Sequence, residues 1–183
     1  MKELGTQYLE TERLILRKFK PDDLESFHDN WSIDELTHQY DWYFNLKTID
    51  DTKKYIENVI ERYNYNNYYN WVIVLKDTNE VIGHIGVNKI MKVHGYIEIG
   101  YSLSSKYFKQ GLMTEALNKI IDFFINDVQV RIIEGTCISE NIASINLMKK
   151  VGMNLDAILP KRRVSHKTGN ICDEYIFSII VDK

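Results

Sequence analysis

The amino-acid sequence predicts an α/β domain of the α+β kind, in which helices cover a mixed, largely antiparallel sheet. Several segments alternate apolar and polar residues as half-buried strands do, and others repeat apolar residues every three or four positions as helices do. A hairpin signal is followed by a strand, a glycine-bearing loop and a helix, so the two element types are interleaved along the chain. With 183 residues, 44% of them hydrophobic, the sequence holds about one domain and enough apolar material for a cooperative core. Residues 1–183 are expected to form that single domain.

The first strand is expected over residues 12–19, where Leu14 and Leu16 share one side and Phe19 follows closely. Lys20-Pro21-Asp22-Asp23 reads as a turn into an acidic helix start, because proline fits an early helical position and carboxylates favour the positive end of a helix. Helical spacing continues through Leu24, Phe27 and Trp31. Between Asp50 and Tyr63 the apolar set Tyr55, Ile56, Val59, Ile60 and Tyr63 marks an amphipathic helix. Trp71 to Leu75 and Val81 to Val87, joined by a turn at Asp77 to Glu80, read as a hairpin. After a connection from Lys89 to Gly95, the strand Tyr96 to Leu103 puts Tyr96, Glu98, Gly100 and Ser102 on one face and Ile97, Ile99, Tyr101 and Leu103 on the other. A helix follows from Gly111 to Phe124, then a strand from Val130 to Cys137, a short helix over 141–150 ended by Gly152, and a last strand from Tyr175 to Val181.

Lys and Arg total 23 against 26 Asp and Glu, a formal charge of -3. That balance gives no support to a broad polyanion-binding surface, while leaving room for a local basic patch. Glu3, Glu10 and Glu12 interrupt the segment where a secretory signal would need an apolar run, and no later stretch is long and apolar enough to span a membrane. A cytoplasmic protein without a membrane partner is expected. Cys137 and Cys172 are far apart and read as reduced thiols; they and His28, His38, His94 and His166 form no metal-ligand spacing, so no metal is expected. His84 reads as a strand histidine on the solvated side. The segments HQYDWYFNLK and RYNYNNYYNW are rich in aromatics, including Tyr40, Trp42, Tyr43 and Phe44, but lack the interleaved cations that nucleic-acid binding needs. They suit a core or the wall of an acceptor groove.

The segment Glu98 to Leu117 carries the most chemical information. A glycine at a helix start permits close backbone approach, and the first-turn N–H groups can bind phosphate oxygens without a large positive charge. Lys109 can add an electrostatic contact. Asn141 has two readings, as the cap of a helix or as a group orienting a ligand. Ser144 is likewise either local backbone support or a hydroxyl donor.

Five separated pieces resemble one family when read in order: TERLILRKF at 11–19, VIGHIGV at 81–87, EIGYSL at 98–103, FKQGLMTEAL at 108–117 and NIASINLMKKVGM at 141–153. The chain resembles the GCN5-related N-acetyltransferase superfamily, and within it the group that includes ribosomal-protein N-terminal acetyltransferases, across about residues 9–180. The resemblance implies an acetyl-coenzyme A site beside a splayed central strand pair. Tyr101, Ser102 and Leu103 would present backbone groups to the pantetheine arm. Phe108, Lys109, Gln110, Gly111, Leu112 and Met113 would hold the pyrophosphate through main-chain donors, with assistance from Thr114. Phe108 and Lys109 depart from the usual Gln or Arg and glycine at their places, which bears on side-chain roles more than on cofactor binding. Asn141 and Ser144 match an N-x-x-S portion near the cofactor.

The implied reaction is direct transfer of an acetyl group to a primary amine, borne by a protein or peptide N-terminus or by a small molecule. Glu98 is the candidate general base, directly or through water, because a partly desolvated carboxylate on a strand entering the site can have its pKa raised. Its other reading is a structural hydrogen-bond partner. Ser144 is the candidate donor to the departing thiolate, and a backbone N–H near Tyr101 or Ser102 the candidate oxyanion donor. A catalytically weak acyl-coenzyme A-binding module is the competing class. Whether the chain works as a monomer or a homodimer is left open by the sequence.

Overall fold

The computed structural model describes residues 1–40 and 46–181, so Trp42, Tyr43 and Phe44 of the first aromatic segment lie outside the described residues. The elements run β1 (Leu9–Glu10), β2 (Leu14–Arg17), α1 (Leu24–Phe27), α2 (Ile49–Arg62), β3 (Asn70–Leu75), β4 (Val81–Met91), β5 (Tyr96–Leu103), α3 (Leu112–Phe123), β6 (Ile132–Ile138), α4 (Ile142–Lys150), β7 (Asn154–Val164) and β8 (Ile171–Ile180). One eight-stranded sheet has the order β1-β2-β3-β4-β5-β6-β8-β7, and every described pairing is antiparallel except β5 with β6. The mixed, largely antiparallel sheet flanked by helices is the architecture expected from the sequence.

Alternation along the strands feeds two cores, one on each face. Leu14, Leu16, Trp71, Ile73, Ile82 and Ile85 pack toward α3, where Ala116, Leu117 and Ile120 meet them. Val72, Val74 and Val81 point the other way, against Phe27, Trp31, Ile56 and Val59. Burial of such side chains contributes about 1.5–3 kcal/mol each relative to exposure. Strand β5 follows the expected parity: Ile97, Ile99 and Leu103 enter the α3 core, and Ser102 faces the other layer, where its Oγ accepts a hydrogen bond from Trp31 Nε1 at 3.0 Å.

Strands β5 and β6 are parallel because α3 crosses over between them. They pair at only three positions, Tyr96 with Ile132, Ile97 with Ile133 and Glu98 with Glu134. Beyond Glu98, β5 stays with β4 as far as Leu103, while β6 stays with β8 as far as Ile138. The sheet therefore forks at Glu98.

Several boundaries differ from the sequence reading for local reasons. The chain from Pro21 to Ser32 is helical, but it opens as a tight turn, becomes α1, and ends in a wider turn closed by Ile33 N–H to His28 O. Strand β4 extends to Met91, beyond the expected end at Val87, by carrying a bulge at Asn88. Strand β7 falls in a stretch to which the sequence reading assigned no element: it is an almost wholly exposed edge strand containing Pro160, so it shows no apolar alternation, and an edge is where proline is tolerated. Helix α2 begins at a reciprocal cap, in which Thr48 Oγ1 accepts from Asp51 N–H at 3.2 Å and the Asp51 carboxylate accepts from Thr48 N–H at 3.1 Å.

Candidate active site

The turn between β5 and α3 is shaped by two left-handed residues, Lys109 at φ 60° and Gly111 at φ 78°. Gly111 precedes α3 and no side chain caps the helix, so the N–H groups of Leu112, Met113 and Thr114 project from its first turn. A Cβ at Gly111 would meet only Arg13 Nη2, at 3.6 Å. Within the protein the glycine answers a requirement of backbone conformation, and the expected close approach concerns a ligand. The turn is held from outside: Arg13 Nη1 donates to Gln110 O at 3.1 Å, and Arg13 pairs with Glu115 at 2.7 Å. Burial pushes the Glu115 carboxyl up, but hydrogen bonds from Thr11 and Arg13 outweigh it and hold the group below its ordinary value.

On its inner side the turn faces a cavity of about 500 Å³, which adjoins a second one of about 740 Å³. The smaller cavity is lined by Phe108, Lys109 and Gly111 to Thr114, by Thr37, and by Asn146 and Lys150 of α4. Backbone donors, a cationic side chain and apolar walls fit the pyrophosphate and pantetheine of acetyl-coenzyme A. Past the fork, β5 has a strand neighbour on one side only, which leaves its other edge open between Gly100 and Leu103. Two expected backbone contacts are already engaged: Leu103 O accepts from Thr37 Oγ1 at 2.9 Å, and Phe108 N–H donates to Ser105 O at 3.2 Å.

The two cavities share five lining residues: Tyr40, Tyr101, Ser102, Asn141 and Ser144. Tyr101 Oη and Ser144 Oγ are 2.6 Å apart. Burial pushes the Tyr101 phenol up, against the hydrogen bond with Ser144, so the phenol keeps its proton at neutral pH. The same cause pushes the Cys137 thiol up to about 11. A protonated thiol is a poor nucleophile, so this cysteine does not suit acyl-enzyme chemistry. Asn141 is the cap of α4, its Oδ1 accepting from Ser144 N–H at 3.1 Å. The cap reading and the cofactor-side reading of Asn141 thus describe one arrangement, since Asn141 both borders the cavities and fixes the turn bearing Ser144. The Ser144 hydroxyl points to Tyr101.

The larger cavity runs from this junction to the fork, where it meets Glu98. Glu98 lies opposite Glu134, and Tyr96 Oη donates to Glu134 Oε1 at 2.7 Å. Burial pushes the Tyr96 phenol up, and Glu134 and Glu98 add to the effect. His84 also lines the cavity, but it is only 8% exposed and stands edge-on to Trp31 at 4.8 Å, which corrects its expected place on a solvated face. The α1–α2 layer covers that part of β4. Asn88, Arg62, Arg163 and Glu174 belong to the polar lining and were not singled out from the sequence. Gly100 carried a signal for Asn88: an isolated glycine in a strand marks a bulge or a close approach, and a Cβ there would lie 2.7 Å from Asn88 Nδ2.

Among the described residues no group of three or more His, Cys, Asp or Glu side chains is placed to hold a metal ion, and no helix is long and apolar enough to cross a membrane. Residues 13–154 match the family described as an acetyltransferase (GNAT) domain. The uncharacterized N-acetyltransferase p20 of Bacillus licheniformis is 31% identical over 176 residues, covering 94% of this chain and 95% of its own. A GNAT-family acetyltransferase structure from Bacillus anthracis superposes with a TM-score of 0.80 at 26% identity, over 95% of this chain and 98% of that one. The ribosomal-protein-S5-alanine acetyltransferase of Vibrio fischeri shares the fold, with a TM-score of 0.80 at 22% identity over 95% and 96% of the two chains. The family match extends from strand β2 through the fork, the turn and α4, which supply most of the lining of both cavities; Arg163 and Glu174 lie beyond it. The chain therefore belongs to the GNAT family of acetyltransferases, whose acyl donor is acetyl-coenzyme A.

Proposed function

We propose that residues 1–183 act as one N-acetyltransferase domain that passes an acetyl group directly to a primary amine, with a protein or peptide N-terminal amine favoured. The observation that carries this reading is the meeting of the two cavities at Tyr101 and Ser144, with Glu98 on the wall of the larger one. The fold shared with the S5-alanine acetyltransferase supports the choice of a protein amine. Two free thiols, one of them buried, support a reducing, cytoplasmic setting.

Acetyl-coenzyme A supplies the activated acyl group as a thioester. Main-chain N–H groups from Lys109 to Thr114 hold the pyrophosphate, Phe108 contributes to the wall rather than a donor, and Lys109 adds charge. The open edge of β5 at Tyr101 and Ser102 aligns the pantetheine and offers an N–H to the carbonyl oxygen, where negative charge develops during attack. Glu98, directly or through one water, takes the proton that the amine must lose. Ser144 hydrogen-bonds to the departing sulfur, which leaves as the thiolate and takes its proton from solvent, while Tyr101 orients the Ser144 hydroxyl and keeps its own proton.

Calorimetric titration with acetyl-coenzyme A, with coenzyme A and adenosine diphosphate as controls, tests the first half of the reading. One-to-one binding that depends on the pantetheine arm is expected. A product assay across peptide amino termini, lysine side chains, polyamines and aminoglycosides tests the second half. Binding without transfer to any of these would replace the enzyme by a ligand-binding module. Glu98→Gln is expected to lower kcat by about 100-fold with little change in acetyl-coenzyme A affinity. An unchanged pH–rate profile in that variant would remove Glu98 as the base.

A further inference from the structure

The charges around the larger cavity bear on what the acceptor carries beside its amine. Two arginines and two glutamates line it, Arg62, Arg163, Glu98 and Glu174. Arg163 and Glu174 neutralise one another at 2.9 Å. Arg62, in the last turn of α2, has no carboxylate partner among the described residues. Its guanidinium lies over the Tyr68 ring, 4.4 Å from the centroid, an arrangement that holds the group in place without cancelling its charge. Asn58 and the phenol of Tyr55 border the same end of the cavity.

A second positive group adjoins it. Residues 160–167 read PKRRVSHK, four Lys or Arg with no carboxylate, in a chain whose net charge is -3. Strand β7 carries extra residues over β8 between Leu159 and Arg163, with Lys161 at φ 55°, so the strand bulges where these cations lie. Lys161 and Arg162 are exposed and have no carboxylate partner among the described residues. Lys167 Nζ lies 5.5 Å from the ring centroid of Tyr40, which borders both cavities. Two carboxylates at the hairpin keep their charge, Glu140, which accepts from Thr168 and Asn170, and Asp173, which accepts from the Lys161 N–H, so the positive surplus there is Lys161, Arg162 and Lys167 against these two.

We propose that the acceptor is a primary amine borne by an anionic molecule, its amine turned toward Glu98 and its carboxylate or phosphate groups held by Arg62 and the 161–167 hairpin. The inference rests on the acetyl-transfer reading above and specifies its acceptor. An amino terminus followed by acidic side chains has this chemistry, and so does a small acidic amine. A polyamine or an aminoglycoside has no anionic group for Arg62 and the hairpin cations to hold.

The test measures kcat/KM for a peptide with Asp or Glu at its second to fourth positions, the same peptide with Asn or Gln there, and the same with Lys. Aspartate and phosphoethanolamine serve as small acidic amines, and spermidine as a cationic one. The acidic peptide or the acidic small amines are expected to exceed their neutral or cationic counterparts by about tenfold, and whichever of the two does so identifies the source. The advantage is expected to shrink at high salt. Arg62→Gln, and separately Lys161→Gln with Arg162→Gln, are expected to bring the acidic-to-neutral ratio toward one, chiefly through KM. Equal kcat/KM across all charges, a preference for the cationic acceptors, or ratios unmoved in both variants would overturn the charge inference while leaving acetyl transfer intact. Failure to acetylate any amine, with acetyl-coenzyme A bound, would overturn the transfer reading and this inference with it.

Discussion

Ser144 and Tyr101 come from different elements and meet at 2.6 Å, and their roles can be separated by experiment. If Ser144 donates to the departing sulfur and Tyr101 stands behind it, Ser144→Ala should lower kcat by about 100-fold and Tyr101→Phe by about tenfold. Single-turnover kinetics under saturating acetyl-coenzyme A would read both, and the reverse order would make Tyr101 the direct donor. Because burial pushes the Tyr101 phenol up, the Tyr101→Phe variant should keep the wild-type profile shape around neutral pH. At this scale the sequence was partly legible. Strand parity put Glu98 and Tyr101 on opposite faces of β5, since a period of two needs only local residues. The Tyr101–Ser144 contact was not legible, because it depends on how α4 sits over the fork. His84 misled for the same reason: nothing in VIGHIGV reveals that α1 and α2 cover that strand.

Among the elements, the β5–α3 turn was the most readable, since Gly111 before an apolar helical repeat is a local signal. Its positive φ predicts the effect of substitution. Gly111→Val forces a β-branched residue into the left-handed region and should cut acetyl-coenzyme A affinity at least tenfold, whereas Gly111→Asn, which tolerates that region, should retain most of it. Titration calorimetry on the two variants checks this, and equal affinities would remove the conformational argument. The anchoring of the turn carries a pH signature. Glu115 has its folded pKa below its ordinary value of 4.5, so its contribution to stability is fully present above that value and is lost as pH falls through the lower, folded value. Denaturant melts of Glu115→Gln should therefore show a loss of stability at pH 7 that narrows toward zero in strong acid. Strand β7 was the least readable element, because an exposed edge strand with a proline has neither alternation nor an apolar run.

For the whole molecule, the order of elements from β2 to α4 and the last strand were legible from hydrophobic period, whereas β1, β7 and the fork were not. Three paired positions between β5 and β6 are a property of register, set by β4 on one side and β8 on the other. Charge distribution was also hidden: a net value of -3 gives no hint that the segment PKRRVSHK brings Lys167 beside Tyr40. The fork has a further consequence. Strands β1 to β5 and strands β6 to β8 form two ladders stitched together by three rungs, with α3 and α4 bridging the rest. A substrate lying along the open edge of β5 and touching α4 would serve as a temporary extra rung. Its binding energy would then fasten one half of the sheet to the other, so that occupancy of the site and cohesion of the fold become a single equilibrium.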